Sequence, residues 1–153
     1  MPETAQEYVQ RILGTMGDAD PLKVLAKFSP EQLRKRPVPE KWSAAEIVIH
    51  LSEVEMMVGV RVRLVVGTNW ISIQGFDQDA WASRYANTDL PLALDAFYAL
   101  RAANLAMYRA LTPEDWEHYG MHSERGKEGA RRIVELCAGH DINHLRQLEG
   151  MLA

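Results

Sequence analysis

Two histidines four residues apart, His140 and His144, sit inside the apolar stripe of the chain's last amphipathic segment. Ile133, Cys137, Leu148 and Met151 fall at the same helical spacing, so a helix that buries them turns both imidazoles toward the core. Residues at i and i+4 are neighbours on a helix surface, and polar groups carried inward need partners. Far upstream, Trp42-Ser43-Ala44-Ala45-Glu46-Ile47-Val48-Ile49-His50-Leu51 supplies a third histidine, with His50 on the face of Ile47, Leu51, Val54 and Val58. Three inward imidazoles match the ligand count of a catalytic metal site, in which three protein donors leave one position for water or substrate. Spacing alone also fits hydrogen-bonded core histidines.

The rest of the chain reads as helices joined by short capped turns. Thr4 to Met16 carries Tyr8, Val9, Ile12, Leu13 and Met16 at helical spacing and ends around Gly14 to Gly17. Asp20-Pro21 and Ser29-Pro30-Glu31-Gln32 each place a capping side chain before a proline at the first helical position. Ser43 with Glu46 forms a capping box, and Trp42 with Ile47 a hydrophobic staple, so the second long helix has a fixed start and runs to Gly67. Gly67 to Gly75 reads as loop, Asp77 to Tyr85 as a short helix, and Pro91 to Leu111 as the third long helix, its apolar stripe interrupted by Arg101. Thr112-Pro113-Glu114-Asp115 is a further capped turn, and the polar, glycine-containing stretch from His118 to Gly129 leads into the last helix, which ends near Leu152. No strand is expected. Four long amphipathic helices predict an all-α, antiparallel-type four-helix bundle with short connecting helices, in a single domain over residues 1–153.

A net charge of −4 and scattered basic residues give no footprint for nucleic acid. The acidic start Met1-Pro2-Glu3-Thr4 lacks the apolar core of a signal peptide, and Arg61 and Arg63 break the longest apolar run, so neither secretion nor a membrane span is expected. The lone Cys137 allows no internal disulfide and fits a reducing cytoplasm.

Other residues are weaker candidates for the site. Arg101 could bind the anionic part of a substrate or cofactor, although an arginine on a core stripe also pairs with internal carboxylates. Cys137 reads as a small buried hydrophobe. His118 and His122 suit capping or surface roles, and Glu53 either supports His50 or is solvated. The Glu-x-x-His pairs of di-iron bundles are absent. Val60, Val62 and Val65, with Trp70, Ile71 and Ile73 in the following loop, give the second long helix more apolar surface than one core face requires, and this predicts a homodimer.

Taken together, Lys41 to Leu51 and His140-Asp141-Ile142-Asn143-His144-Leu145-Arg146-Gln147-Leu148 resemble the two histidine motifs of the DinB superfamily. Trp116, His122 and Gly126 are similar to the Trp, His and Gly common before the last helix of those proteins. Gly129 departs from the pattern, standing where relatives often carry a helix-capping Thr. The resemblance implies a bundle that holds a divalent ion, zinc or nickel, at His50, His140 and His144, often as a homodimer. It further implies a small-molecule substrate and a thiol S-transferase or isomerase that uses a low-molecular-weight thiol. The alternatives are a metal-dependent hydrolase or a non-catalytic, metal-binding stress protein.

Overall fold

Helix starts follow the capping residues. In the computed structural model, which describes residues 1–152, Thr4 closes a reciprocal capping box with Glu7 and opens α1 (Ala5–Asp18). Asp20 and Ser29 cap the short α2 (Pro21–Leu25) and α3 (Pro30–Arg34), each with proline at its first position. Ser43 and Glu46 form the box that starts α4 (Ala44–Gly67), and Trp42 packs with Ile47 in one apolar cluster. After β1 (Ser72–Ile73), Asp77 caps α5 (Gln78–Ala82), and a single turn at Tyr85–Asn87 leads to Asp89, the cap of α6 (Leu90–Arg109).

Thr112 caps α7 (Pro113–Trp116); β2 (Tyr119–His122) and β3 (Gly126–Gly129) then precede α8 (Ala130–Gly150). Gly129 gives α8 no side-chain cap, and the Ala130 N–H instead donates to the His118 carbonyl at 2.9 Å. The His118 carbonyl, just before the hairpin, thereby satisfies one of the free N–H groups of the first turn.

The four long helices form a bundle in which α4 packs against α6 and α8, and α1 packs against the same two. Helices α1 and α4 therefore occupy opposite corners, and successive long helices are not always neighbours. Val9, Leu13 and Met16 of α1 meet Val58 and Val62 of α4, Leu105 of α6 and Ile133 of α8 in the main core. Burying each such side chain contributes roughly 1.5–3 kcal/mol, set against the entropy of ordering the chain. Among the described residues no helix is long and apolar enough to cross a membrane.

The expectation of no strands is corrected. β1 pairs in parallel with β2, and β2 pairs antiparallel with β3, with Tyr119 opposite Gly129 and His122 opposite Gly126. The buried positions of the hairpin are Gly120, His122 and Glu128, so its inward face shows no run of apolar residues from which alternation could be read. Gly120 permits the pairing: a Cβ there would lie 2.6 Å from the Ile71 carbonyl oxygen. The small sheet lays residues 71–76 and the β2–β3 turn over one end of the α4–α8 groove.

A second correction concerns α4. Val62 and Val65 are fully buried in the chain's own core, and Ile73 is buried too, so they form no outer face. The exposed apolar row of this helix is Met56, Val60 and Leu64, spaced by four, with Trp70 exposed beyond its end.

Candidate metal centre

The capping box and staple at the start of α4 fix the turn that carries His50, whose ring lies 4.9 Å from Trp42. His140 and His144 project from α8 one turn apart. His50 Nε2 is 2.8 Å from His140 Nε2, and His144 Nε2 is 3.1 Å from the same atom. One donor atom from each ring lies within 4.8 Å of the others. The three imidazoles are therefore brought together at one point between α4 and α8.

Three ring nitrogens facing one another make a poor hydrogen-bond set, because one lone pair on His140 cannot serve two N–H donors. The surroundings favour lone pairs at this point. His144 Nδ1 lies 2.9 Å from Gln147 Oε1, which can only accept, so the proton sits on Nδ1 and Nε2 is left bare. Burial, and then the neighbouring imidazoles His140 and His144, push the pKa of His50 down to about 3. The pKa of His144 is lowered as well, by burial and then by His140, with Gln147 opposing. Neutral imidazole is the ligand form. Nitrogens bound to zinc at 2.0–2.1 Å in tetrahedral geometry stand roughly 3.3 Å apart. The set fits a divalent ion with a slight opening of the rings.

His50 and His140 open onto a cavity of about 660 Å³ between α4 and α8, within the usual range for small-molecule sites. Val54, Val58, Ile133 and Leu136 line its middle, and Arg61, Phe76 and His122 line the end under the sheet. Two cavity carboxylates are already taken, Glu128 by Arg125 and Glu135 by Arg132. Glu124, also on the wall, is exposed at the hairpin turn.

Arg101 is elsewhere. It is buried, does not line the cavity, and donates to Met16 O at 2.8 Å, Glu55 Oε2 at 2.7 Å and Asp141 Oδ2 at 2.5 Å. Burial opposes its charge, but the bond to Glu55 and the charges of Asp141 and Glu55 outweigh that and raise its pKa. The expected anion-binding role is corrected: the guanidinium serves two internal carboxylates. Cys137 is buried, with burial and then the charges of Asp141 and Glu55 raising its pKa well above normal, so it is a protonated thiol. Glu53 does not line the cavity.

His122 is the wall residue that sequence reasoning placed wrongly. It is buried, and its Nδ1 accepts the backbone N–H groups of Glu124 and Arg125 at 3.1 and 3.2 Å. The only signal that marked it was its place beside Gly126 in the loop motif.

The DinB superfamily model matches residues 18–148. The chain belongs to the DinB superfamily. A proposed metal-dependent hydrolase of Oceanobacillus iheyensis is 24% identical to this DinB-superfamily chain over 72% of its length. That match spans 64% of the relative, so the chain covers less than two thirds of it. YfiT of Bacillus subtilis, proposed to be a metal-dependent hydrolase and described as having an unusual four-helix bundle topology, superposes with TM-score 0.87 and 17% identity. The superposition covers 99% of this chain and 89% of YfiT. A mycothiol-dependent maleylpyruvate isomerase superposes with TM-score 0.73 and 10% identity over 92% of this chain and 60% of its own. At these identities the superpositions speak for the fold.

Proposed function

We propose that this chain is a cytoplasmic metal-dependent enzyme that joins a low-molecular-weight thiol to a small electrophile or isomerises such an adduct. His50, His140 and His144 would hold the divalent ion, zinc or nickel. When bound, the ion supplies Lewis-acid charge at its open position, lowering the pKa of a thiol there. The carrying observation is that three clustered imidazoles adjoin a small-molecule cavity, lined by His50 and His140, whose carboxylates Glu128 and Glu135 are committed to arginines. A hydrolase of this size commonly uses a free carboxylate to take a proton from water. Thiol transfer needs none, because a thiol of pKa near 8.5 gives up its proton far more readily than water.

The residues around the site position the reactants. Trp42 packs on His50 and Gln147 fixes the His144 tautomer, so the ligand set is held before a reactant arrives. Val54, Val58, Ile133 and Leu136 exclude water from the path to it. In the transfer, the S–H bond breaks and its proton passes to solvent, and sulfur forms a bond to the electrophilic carbon. Any leaving group departs with its bonding pair.

The test is metal analysis of untagged protein, followed by turnover of a chromogenic electrophile with several cellular thiols. Thiol-dependent turnover that a chelator removes and metal restores is expected. Ester or amide hydrolysis without added thiol would favour the hydrolase reading instead. The enzyme is further proposed to act as a homodimer.

A further inference from the structure

The cavity has two chemically different ends. Along α4, His50, Val54, Val58 and Arg61 succeed one another at spacings of four, four and three, so one stripe of the helix runs the length of the cavity. At a rise of 1.5 Å per residue, His50 and Arg61 are about 16 Å apart along the axis. The facing stripe of α8 carries Ile133, Leu136 and His140. An apolar trough thus joins the histidines to a polar end closed by residues 74–76 and the β2–β3 turn.

Hydrogen-bond donors at that end are unspent. Arg61 Nη2 donates to the Gln74 carbonyl at 2.7 Å, and the guanidinium lies over the Phe76 ring at 5.2 Å. Arg61 Nε is buried with no partner, and no carboxylate comes within ion-pair distance of this side chain among the described residues. Arg125 and Arg132, by contrast, are each neutralised by a glutamate. Burial lowers the pKa of Arg61, Arg125 adds repulsion, and Glu128 only partly opposes them. His122 contributes a second donor. With Nδ1 accepting from two backbone N–H groups, its proton must sit on Nε2, which has no hydrogen-bond partner among the described residues.

We propose that Arg61 and His122 form an anion subsite that takes a carboxylate at the far end of an elongated, apolar-waisted ligand whose reacting group lies at the three histidines. This rests on the reading of those histidines as the reaction centre only for the second half of the statement; the subsite itself stands on Arg61, His122 and the cavity. A carboxylate there would meet the guanidinium charge of an arginine and one imidazole N–H, while eight or more carbons of chain would lie against Val54, Val58, Ile133 and Leu136.

Calorimetric titration with decanoate, and with decanol as the uncharged control, tests the subsite on both metal-free and metal-loaded protein. Decanoate is expected to bind at least tenfold more tightly than decanol in both forms. Arg61→Met should remove that preference while leaving metal content unchanged, and Arg61→Lys should restore part of it. His122→Asn keeps an acceptor for the two backbone N–H groups but has no Nε2–H, and should weaken decanoate severalfold with decanol unaffected. Equal binding of the two probes to the wild type, or undiminished decanoate binding by Arg61→Met, would overturn the proposal. If decanoate binds through Arg61 in a protein that retains no metal under any condition, the subsite stands and the enzyme reading fails. Mercaptoundecanoate on metal-loaded protein identifies the source of the anion. Tighter binding than decanoate assigns the carboxylate to the thiol, and equal binding assigns it to the electrophile.

Discussion

Two polar clusters lie close together in the α4–α8 core, and they are built on opposite principles. Arg101, Glu55, Asp141 and Asn104 satisfy one another: Arg101 binds both carboxylates and a carbonyl, and Asn104 Nδ2 donates to Glu55 Oε1 at 2.8 Å. His50, His140 and His144 present three nitrogens to a common point, and His140 Nδ1 is buried without a partner. A saturated cluster holds the fold, because removing one member strands the others. An unsaturated one is kept for something that arrives from outside. Asp141 belongs to the first cluster and follows His140 of the second, so the structural network also anchors the helix turn that presents the ligands.

Replacing Arg101 with Met should have the largest effect. It leaves Glu55 and Asp141 buried and uncompensated, at a cost of about 3–5 kcal/mol. The urea midpoint should fall steeply, and metal retention should fall with it as the α8 turn loosens. A variant of unchanged midpoint would erase the distinction between the two clusters.

His144→Ala should do the reverse. Metal content measured after dialysis should fall to background while the far-ultraviolet circular dichroism remains that of a helical bundle, since the apolar core does not depend on the imidazole. Loss of helicity together with metal would make the ion a folding element, as in zinc fingers.

Acid should separate the clusters more gradually. In metal-free protein the folded state holds His50 neutral down to about pH 3, whereas the unfolded chain protonates it near 6.5. The unfolded state therefore binds the extra proton between these values. Stability from this residue is full above pH 6.5 and falls by about 1.4 kcal/mol per pH unit as the pH drops toward 3. His144, also lowered, adds a loss of the same sign. Denaturant midpoints of wild type and His50→Phe should converge as the pH falls from 7 to 4; parallel curves would mean that His50 is not held neutral.

These contrasts explain what could be read from the chain. The bundle was legible because its long runs are amphipathic and Ser43 with Glu46 marks the start of α4. The triad was legible because its members lie in the stripes those runs define. Arg101's partners were not, since Glu55 is 46 residues away and nothing local marks the pairing. The hairpin was hidden by inward positions that are glycine, histidine and glutamate. Arg61 and His122 share one end of the cavity only because that hairpin folds back over α4. Long-range pairing made without apolar periodicity is what the sequence conceals.

The smallest effect concerns the outside of α4, where one face serves the cavity and the other carries Met56, Val60 and Leu64, each about half exposed. A row of this kind along two turns is an apolar strip that a second copy of the chain could cover through a two-fold contact. Sedimentation at micromolar concentration should give twice the 17.3 kDa chain mass. Leu64→Lys should shift the protein toward monomer without altering its urea midpoint in the monomeric range, because the side chain leaves no cavity in the core. Metal content should also be unchanged, since His50 faces inward more than three turns away. Wild-type protein that remains a monomer at all concentrations would make this face plain solvent-exposed surface.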